Sequence, residues 1–378
     1  MKQINTVLPT IYSIAAELPK PCWTTDELLD AAGDHLSNKL RDMLGRLGVN
    51  KRHSLLANYP SVLFEGAEPE LAISGSALAV QTARRCIEKA NVHPHEIGLV
   101  LGVTSSPSRL IPSLVGDMFA QMPELRRDIM SLNIAYMGCS AISKAVDTAR
   151  WFLTCYPDNR VLVCFMDAIT PLSPPLPGKY AHFNEVSPEE RQSTVNVMHN
   201  FLFGDASVAM ILSADGKGPK FGPITHLTNE IPEDAEIGTV PDGGSDIPVV
   251  YGRRKYTLGP EVKQRGWFYA THTVEQLLKK EDCKLRDPKD ATMLLMHTGS
   301  SRILDGLCEQ FRVSPDSPSV ASSYNILREY GNAIGCSIPL MLADPVPRRE
   351  GEGLMVAFGL SFSCGACTLT IPREGWTP

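Results

Sequence analysis

Short apolar runs alternate with amphipathic segments along the first half of the chain. Three runs contain almost no polar residues, which is typical of central strands covered on both faces, and they span 97–104, 160–165 and 206–212. Between the first two, apolar residues at helical spacing predict a helix over 140–153. Strands that alternate with helices predict a parallel or mixed sheet with helices on its faces.

The second half of the chain repeats this order of elements. The pattern predicts helices over 267–280, 301–311 and 326–343, a strand over 293–297 and two strands within 354–371. A Gly- and Pro-rich turn cluster at 215–223 separates the halves. We therefore predict a duplicated α/β unit, with one half in residues 1–218 and the other in 219–378. Residues 172–197, rich in Pro and charge, predict an inserted loop or lid.

Composition and charge narrow the class of protein. With 378 residues, 43% of them hydrophobic, the chain can bury a large core. The formal net charge of -6 argues against a general nucleic-acid binder, because no excess of cations would neutralise a run of phosphates. The N-terminus lacks the apolar core of a signal peptide, and no run approaches the roughly 20 apolar residues of a membrane span. The expected location is cytoplasmic.

The ten cysteines do not form the framework of a small disulfide-rich protein. Most lie in apolar runs, which predicts reduced, buried side chains. Cys364 and Cys367 have the spacing of half a zinc site, but neither a second cysteine pair nor a histidine pair accompanies them. We therefore predict no metal site.

The step Gly138-Cys139 is the first candidate for chemistry, because it joins an apolar strand directly to the amphipathic helix. At a helix N-terminus, free N–H groups and the helix dipole favour a thiolate. A buried structural cysteine is the alternative at such a junction.

Two further polar residues lie at the ends of apolar elements. His297 ends a strand, and Asn332 follows Gly331 before an apolar helix. A structural histidine and a capping asparagine are the alternatives. Together with Cys139 they form a set in which the thiolate takes an acyl group from a thioester. The imidazole and carboxamide N–H groups then stabilise the enolate formed when a second thioester loses CO₂.

These segments resemble the thiolase superfamily, and within it the chalcone-synthase-like type III polyketide synthases. The resemblance extends from about residue 10 to about 373 and is carried by four motifs: Gly138-Cys139, His297-Thr-Gly-Ser followed by Ile303-Leu304, Ser323 through the Tyr-Gly-Asn ending at Asn332, and Leu202-Phe203-Gly-Asp205. It implies a thiolase-like duplicated α/β/α/β/α layered fold. It also implies that Cys139, His297 and Asn332 are the catalytic residues of a decarboxylative Claisen condensation.

Further roles follow from the same resemblance. Phe203 corresponds to a gate of the substrate tunnel. Basic residues in the segment 39–52 correspond to those that contact coenzyme A phosphates: Lys39, Arg41, Arg46 and Arg52. The implied substrates are malonyl thioester and an acyl thioester of coenzyme A or of an acyl carrier protein. No metal or redox cofactor is implied, and the family forms homodimers through the central sheet of the N-terminal halves.

The sequence departs from this family at several places. His-Pro-Gly-Gly is replaced by His297-Thr-Gly-Ser, and the C-terminal Gly-Phe-Gly-Pro-Gly turn by Ala357-Phe-Gly-Leu-Ser361. The segment after Asn332 and the closing 363–369 are nearer to ketoacyl-carrier-protein synthase III. Two alternatives stay open: an acyltransferase that uses Cys139 without decarboxylation, and a catalytically silent partner subunit of a ketosynthase.

Overall fold

The computed structural model describes residues 6–240, 257–345, 349–373 and 378. Its strands are β1 Thr10–Glu17, β2 Cys22–Thr24, β3 Lys51–His53, β4 Ile97–Thr104, β5 Met130–Ala135, β6 Arg160–Asp167, β7 Ala206–Ser213, β8 Lys220–Thr228, β9 Gly238–Thr239, β10 Thr257–Leu258, β11 Met293–Met296, β12 Gly351–Gly359 and β13 Ser363–Ile371. Its α-helices are α1 Thr25–Ala32, α2 Asn38–Gly45, α3 Tyr59–Phe64, α4 Gly75–Ala90, α5 Leu114–Gln121, α6 Ala141–Cys155, α7 Arg191–Leu202, α8 Val262–Leu278, α9 Ser301–Phe311, α10 Ala321–Tyr330 and α11 Ser337–Ala343.

Nine strands of the described residues form one mixed sheet in the order β11-β12-β13-β8-β1-β7-β6-β4-β5. From β1 outward, β7 and β6 add antiparallel, and β4 and β5 add parallel. From β8 outward, β13 and β12 add antiparallel, and β11 adds parallel. The two sets meet where Thr10 of β1 pairs with Lys220 of β8. The order antiparallel, antiparallel, parallel therefore occurs in both sets, as a duplicated unit would produce, and β5 is an additional parallel strand in the first. The predicted division at residue 218 stays a prediction.

The central strands are buried because both of their faces are apolar. Every residue of β4 and β7 is buried, and α6 packs on β4, β5 and β6 with its apolar stripe inward. Cys139 belongs to the same hydrophobic cluster as these elements. In the part of the chain that the structure describes, no helix combines the length and the apolar character needed to cross a bilayer.

Two sequence predictions are wrong in detail. The helix predicted over 326–343 is two helices, α10 and α11, because Gly331 takes a left-handed φ of 68° and a short 3-10 turn follows at Ile334–Cys336. The turn cluster at 215–223 gives way at Lys220 to β8, which is held between β1 and β13. The Gly-, Pro- and Asp-rich stretch that continues from this cluster to about residue 250 lies partly outside the described residues.

Candidate active site

Gly138 and Cys139 lie in a 3-10 turn, Gly138–Ser140, between β5 and the start of α6. Gly138 has φ 53°, and a Cβ atom there would lie 2.9 Å from the Cα atom of Gly359. Both observations require glycine. The Gly138 N–H donates to Ser105 Oγ over 2.9 Å, which fixes the turn against the end of β4. The sequence therefore places the thiol at the predicted strand-to-helix junction.

The surroundings of Cys139 oppose ionisation. Its side chain is buried, and burial raises the pKa of the Cys139 thiol well above its usual range. The nearby Asp167 carboxylate raises that pKa further. Burial therefore opposes the thiolate that the helix N-terminus is expected to favour.

Asn332 contacts Cys139 directly. The Cys139 Sγ–H points at Asn332 Oδ1 over 3.8 Å, although the residues are 193 positions apart. The same Oδ1 accepts the Ile334 N–H over 2.9 Å and the Ser337 hydroxyl over 3.4 Å. Because a backbone N–H can only donate, Ile334 identifies this atom as oxygen. The orientation leaves Asn332 Nδ2 without a hydrogen bond among the described residues, so its hydrogens are available to a ligand.

His297 follows β11 and is buried as a neutral imidazole. Burial lowers the pKa of His297 to about 3. Its backbone N–H donates to Val356 O, and its ring packs on Phe358 with centroids 4.0 Å apart. A Cβ atom on Gly299 would lie 2.7 Å from His297 Nε2, so glycine at this position avoids a clash with that nitrogen.

The end of β12 joins these groups. Phe358 packs on His297, and the next residue, Gly359, packs against Gly138. The structure therefore brings Cys139 and Asn332 into direct contact and connects His297 to the Cys139 turn through two consecutive residues. All three residues are buried, and Cys139 is 5% exposed.

Phe203, which the resemblance implies is a gate of the substrate tunnel, lies beside Asn332. It is half-buried at the end of α7, and it forms a parallel β-bridge with Asn332. The Asn332 N–H donates to Leu202 O over 2.9 Å, and the Gly204 N–H donates to Asn332 O over 3.3 Å. The Phe203 ring meets His199 edge to face at 5.3 Å.

Three of the four predicted phosphate contacts lie on or directly after α2. Lys39 and Arg46 are exposed, and Arg41 is half-buried. Arg41 donates to Leu29 O over 2.8 Å, and Lys39 pairs with Glu185 at 3.4 Å.

Arg52 requires a correction, because its side chain is 0% exposed. Its guanidinium donates to Thr25 Oγ1 over 2.6 Å and to Phe201 O over 2.9 Å. Burial lowers the pKa of Arg52 to about 10. An arginine enclosed in this way holds β3 against α7 and has no free face for a phosphate.

The basic segment is anchored to the two elements that flank His297 and Asn332. The Ser301 N–H at the start of α9 donates to Leu47 O over 3.1 Å. At the end of α10, Arg328 O accepts the Asn50 N–H over 2.8 Å, and Glu329 pairs with Lys51 at 3.0 Å. Lys51 is half-exposed, and sequence reasoning included it in the basic segment without choosing it as a contact.

Sequence reasoning missed Asp167, the last residue of β6. Its carboxylate is buried between the Cys139 turn and the turn that follows Asn332. The available signal was its position, since an acid that ends a buried strand lies at the same sheet edge as the polar ends of neighbouring parallel strands. Within the described ranges, no three His, Cys, Asp or Glu side chains are grouped so that they could hold a metal ion.

Comparison with known proteins matches two families to the two parts of the site. The family described as FAE1/type III polyketide synthase-like protein matches residues 67–173, which include Cys139. The family described as 3-oxoacyl-[acyl-carrier-protein (ACP)] synthase III C terminal matches residues 284–371, which include His297 and Asn332.

Individual relatives cover nearly the whole chain at low identity. A 1,3,6,8-tetrahydroxynaphthalene synthase from Streptomyces griseus is 24% identical, covering 97% of this chain and 94% of its own. A beta-ketoacyl-[acyl-carrier-protein] synthase III from Oleidesulfovibrio alaskensis is 24% identical, covering 86% and 88%. The crystal structure of the C-terminal type III polyketide synthase domain of Steely1 from Dictyostelium has a TM-score of 0.76 at 16% identity, covering 96% and 99%.

The fold and these matches define a condensing enzyme of the acyltransferase class with the thiolase-like α/β fold, as the sequence predicted. Within that class the chain is similar both to type III polyketide synthases and to beta-ketoacyl-[acyl-carrier-protein] synthases III.

Proposed function

We propose that the protein joins an acyl group carried on Cys139 to a malonyl thioester by decarboxylative Claisen condensation, with His297 and Asn332 as the other catalytic residues. The contact of 3.8 Å between Cys139 Sγ and Asn332 Oδ1 carries this proposal. It joins a nucleophile and an amide from the two halves of the chain, and the amide nitrogen is left free to donate.

The reaction has three steps. In loading, the Cys139 sulfur attacks the acyl thioester, and the carrier thiol leaves with the proton that Cys139 loses. In decarboxylation, the bond between the malonyl carboxylate and its α-carbon breaks, and the electron pair moves to the thioester carbonyl as an enolate. In condensation, the α-carbon attacks the acyl carbonyl on Cys139, and the carbon–sulfur bond breaks to release the sulfur.

The environment of His297 supports the role of a hydrogen-bond donor. An imidazole whose pKa is about 3 is a weak base, but its neutral form still carries one N–H group. The His297 N–H and Asn332 Nδ2 would together stabilise the enolate oxygen. Removal of one such donor typically lowers the rate by about 10²–10³. Because decarboxylation supplies the electron pair, the proposed reaction needs no metal or redox cofactor.

The proposed substrates are malonyl thioester and an acyl thioester of coenzyme A or an acyl carrier protein, which present the same pantetheine arm. Lys39, Arg41 and Arg46 are the proposed phosphate contacts, and Phe203 is the proposed gate beside Asn332. The position of this basic segment against α9 and α10 supports that role. Arg52 has no part in it.

We also propose a cytoplasmic homodimer that pairs through β5. This strand is one edge of the nine-stranded sheet, and Met130 and Leu132 on it are 48% and 41% exposed. An exposed apolar edge strand favours pairing with another strand.

The test uses intact-protein mass spectrometry with a panel of acyl-coenzyme A thioesters, followed by malonyl-coenzyme A with detection of CO₂. We expect wild type to gain one acyl mass and then to release CO₂ and a longer product. Cys139→Ala should gain no acyl mass, whereas Asn332→Ala should load normally and lose about 10²–10³ in decarboxylation. Cys336→Ala is the matched control, since Cys336 is a buried thiol whose Sγ–H donates to Ala206 O.

Two outcomes would replace this proposal. Loading without CO₂ release for any acyl group would favour acyl transfer from Cys139 to another acceptor. Absence of any acyl mass on Cys139 would favour a silent partner subunit. Normal decarboxylation by Asn332→Ala would remove the role proposed for that residue.

A further inference from the structure

The Asp167 carboxylate accepts hydrogen bonds from two separate parts of the chain. One oxygen accepts the Ser105 N–H over 2.7 Å, the Ser106 hydroxyl over 3.0 Å and the Thr104 hydroxyl over 3.4 Å. The other oxygen accepts the Gly335 N–H over 2.8 Å. Asp167 is 2% exposed, so each of these bonds forms in a desolvated site.

These bonds connect the two turns that hold the reacting groups. Ser105, which donates its N–H to Asp167, uses its hydroxyl to accept the N–H of Gly138, the residue before Cys139. Gly335 lies three residues after Asn332. A Cβ atom on Gly335 would be 2.8 Å from Asp167 Oδ2 and 3.5 Å from Gly138 O, so the close approach of the two turns needs this glycine.

The same carboxylate is a negative charge beside a thiol. Its hydrogen-bond donors are neutral hydroxyl and backbone N–H groups. Burial raises the pKa of Asp167 to about 6. The titratable groups that face it are Cys139 and Cys336, and its charge raises the pKa of both thiols beyond the effect of their burial.

We propose that Asp167 is a positioning residue: one carboxylate holds the Cys139 turn and the Asn332 turn together, and places a negative charge beside the Cys139 sulfur. The alignment part rests on the proposed condensation. The charge part does not, because it concerns the reactivity of the free enzyme's thiol.

The effect of the Asp167 charge is tested by the rate at which 2,2′-dipyridyl disulfide modifies Cys139. The rate is measured at several pH values between pH 5 and pH 8, and peptide mass spectrometry monitors the modification. In wild type, ionisation of Asp167 should produce a break in the rate profile near pH 6. Asp167→Asn should react about tenfold faster than wild type at pH 8, because removing a neighbouring negative charge lowers a thiol pKa by about one unit. At pH 5 the two rates should be equal, since Asp167 is then protonated in wild type. The exposed thiols Cys22 and Cys155 are internal references.

Asp205→Asn is the matched control. Asp205 is also buried, burial raises its pKa to about 6, and it accepts the N–H groups of Leu55 and Ile169 over 2.8 Å each. Its replacement should leave the pH dependence of Cys139 modification unchanged. An Asp167→Asn effect of equal size at pH 5 and pH 8, or the same pH-dependent gain in Asp205→Asn, would overturn the charge effect. If Asp167→Asn does not fold, a wild-type profile without a break near pH 6 overturns it.

The alignment is tested by Ser105→Ala, which removes the acceptor of the Gly138 N–H and keeps the Asp167 charge and the Ser105 N–H. Acyl loading should be retained, while carbon–carbon bond formation should fall about tenfold or more relative to loading, because small misplacements of reacting groups are costly. A wild-type ratio of condensation to loading would overturn the alignment. If wild type itself loads no acyl group, the proposed function fails, and the thiol-modification profile still decides the charge effect.

Discussion

At the scale of single residues, His297 is the group whose protonation state matters most for the proposed chemistry. A histidine buried as the neutral form has its folded pKa, about 3, far below its ordinary value of 6.5. Between these values the unfolded chain binds a proton that the native protein excludes. The contribution of His297 to the free energy of unfolding is therefore complete above pH 6.5 and decreases as the pH falls toward 3.

His297→Gln should remove this dependence, because the amide does not titrate. We expect wild type to lose about 2 kcal/mol of unfolding free energy relative to His297→Gln between pH 6.5 and pH 5. Urea denaturation of both proteins across this range measures the difference. Asp167 and Asp205, whose raised pKa values act in the opposite direction below pH 6, are present in both proteins and cancel. A difference that does not change with pH would show that His297 is charged in the native protein.

Residue positions could be predicted from the sequence better than residue environments. Cys139 and Asn332 stood out because each lies at the end of an apolar element, and the structure places them in contact. The raised pKa of Cys139 could not be predicted, because it depends on burial and on Asp167. Asp167 itself was missed because its partners Ser105 and Gly335 are 62 and 168 positions away.

At the scale of elements, the contact between the end of α7 and the turn after α10 determines where Asn332 lies. The two segments pair through an isolated β-bridge between Phe203 and Asn332, and glycine allows the approach. A Cβ atom on Gly204 would lie 2.2 Å from Tyr330 O and 3.2 Å from Arg52 Cβ. Because backbone atoms are involved, the two segments would have to separate.

Gly204→Ala should therefore destabilise the protein by roughly 1–3 kcal/mol, the usual cost of overpacking. Gly45→Ala is the control, since a Cβ atom there meets nothing within 4 Å and alanine favours the helix by about 0.5 kcal/mol or more. Urea denaturation at pH 7.5 compares both with wild type. Equal stability of the two variants would mean that the α7–α10 contact is looser than described.

Element boundaries could be predicted only where the chain itself signals them. The buried strands β4, β6 and β7 and the helix α6 were predicted from continuous apolar runs and a helical stripe. The break between α10 and α11 was missed, since the interruption of the predicted helix is signalled by a single glycine, Gly331. At that break Asn332 follows the end of α10, and its side chain contacts Cys139.

At the scale of the whole molecule, the two ends of the sheet differ. The edge strand β11 is buried and packs against α10. The other edge strand, β5, has four exposed residues. One of them, Leu132, pairs with Leu101 of β4. An apolar edge that is open in one chain is stabilised when a second copy covers it. Since Cys139 follows β5 by four residues, pairing there would also restrain the turn that carries the thiol.

Leu132→Glu should convert the proposed dimer into a monomer, because pairing would bring like charges of two copies close together in an apolar contact. Size-exclusion chromatography with light scattering measures the mass of each variant. Phe268→Glu is the control: it also replaces an exposed hydrophobic residue, 39% exposed, but on α8 in the second set of elements. We expect wild type and Phe268→Glu to have twice the chain mass and Leu132→Glu to have the mass of one chain. A monomeric wild type, or a Leu132→Glu variant that keeps the doubled mass, would mean that β5 is not the surface through which two copies join.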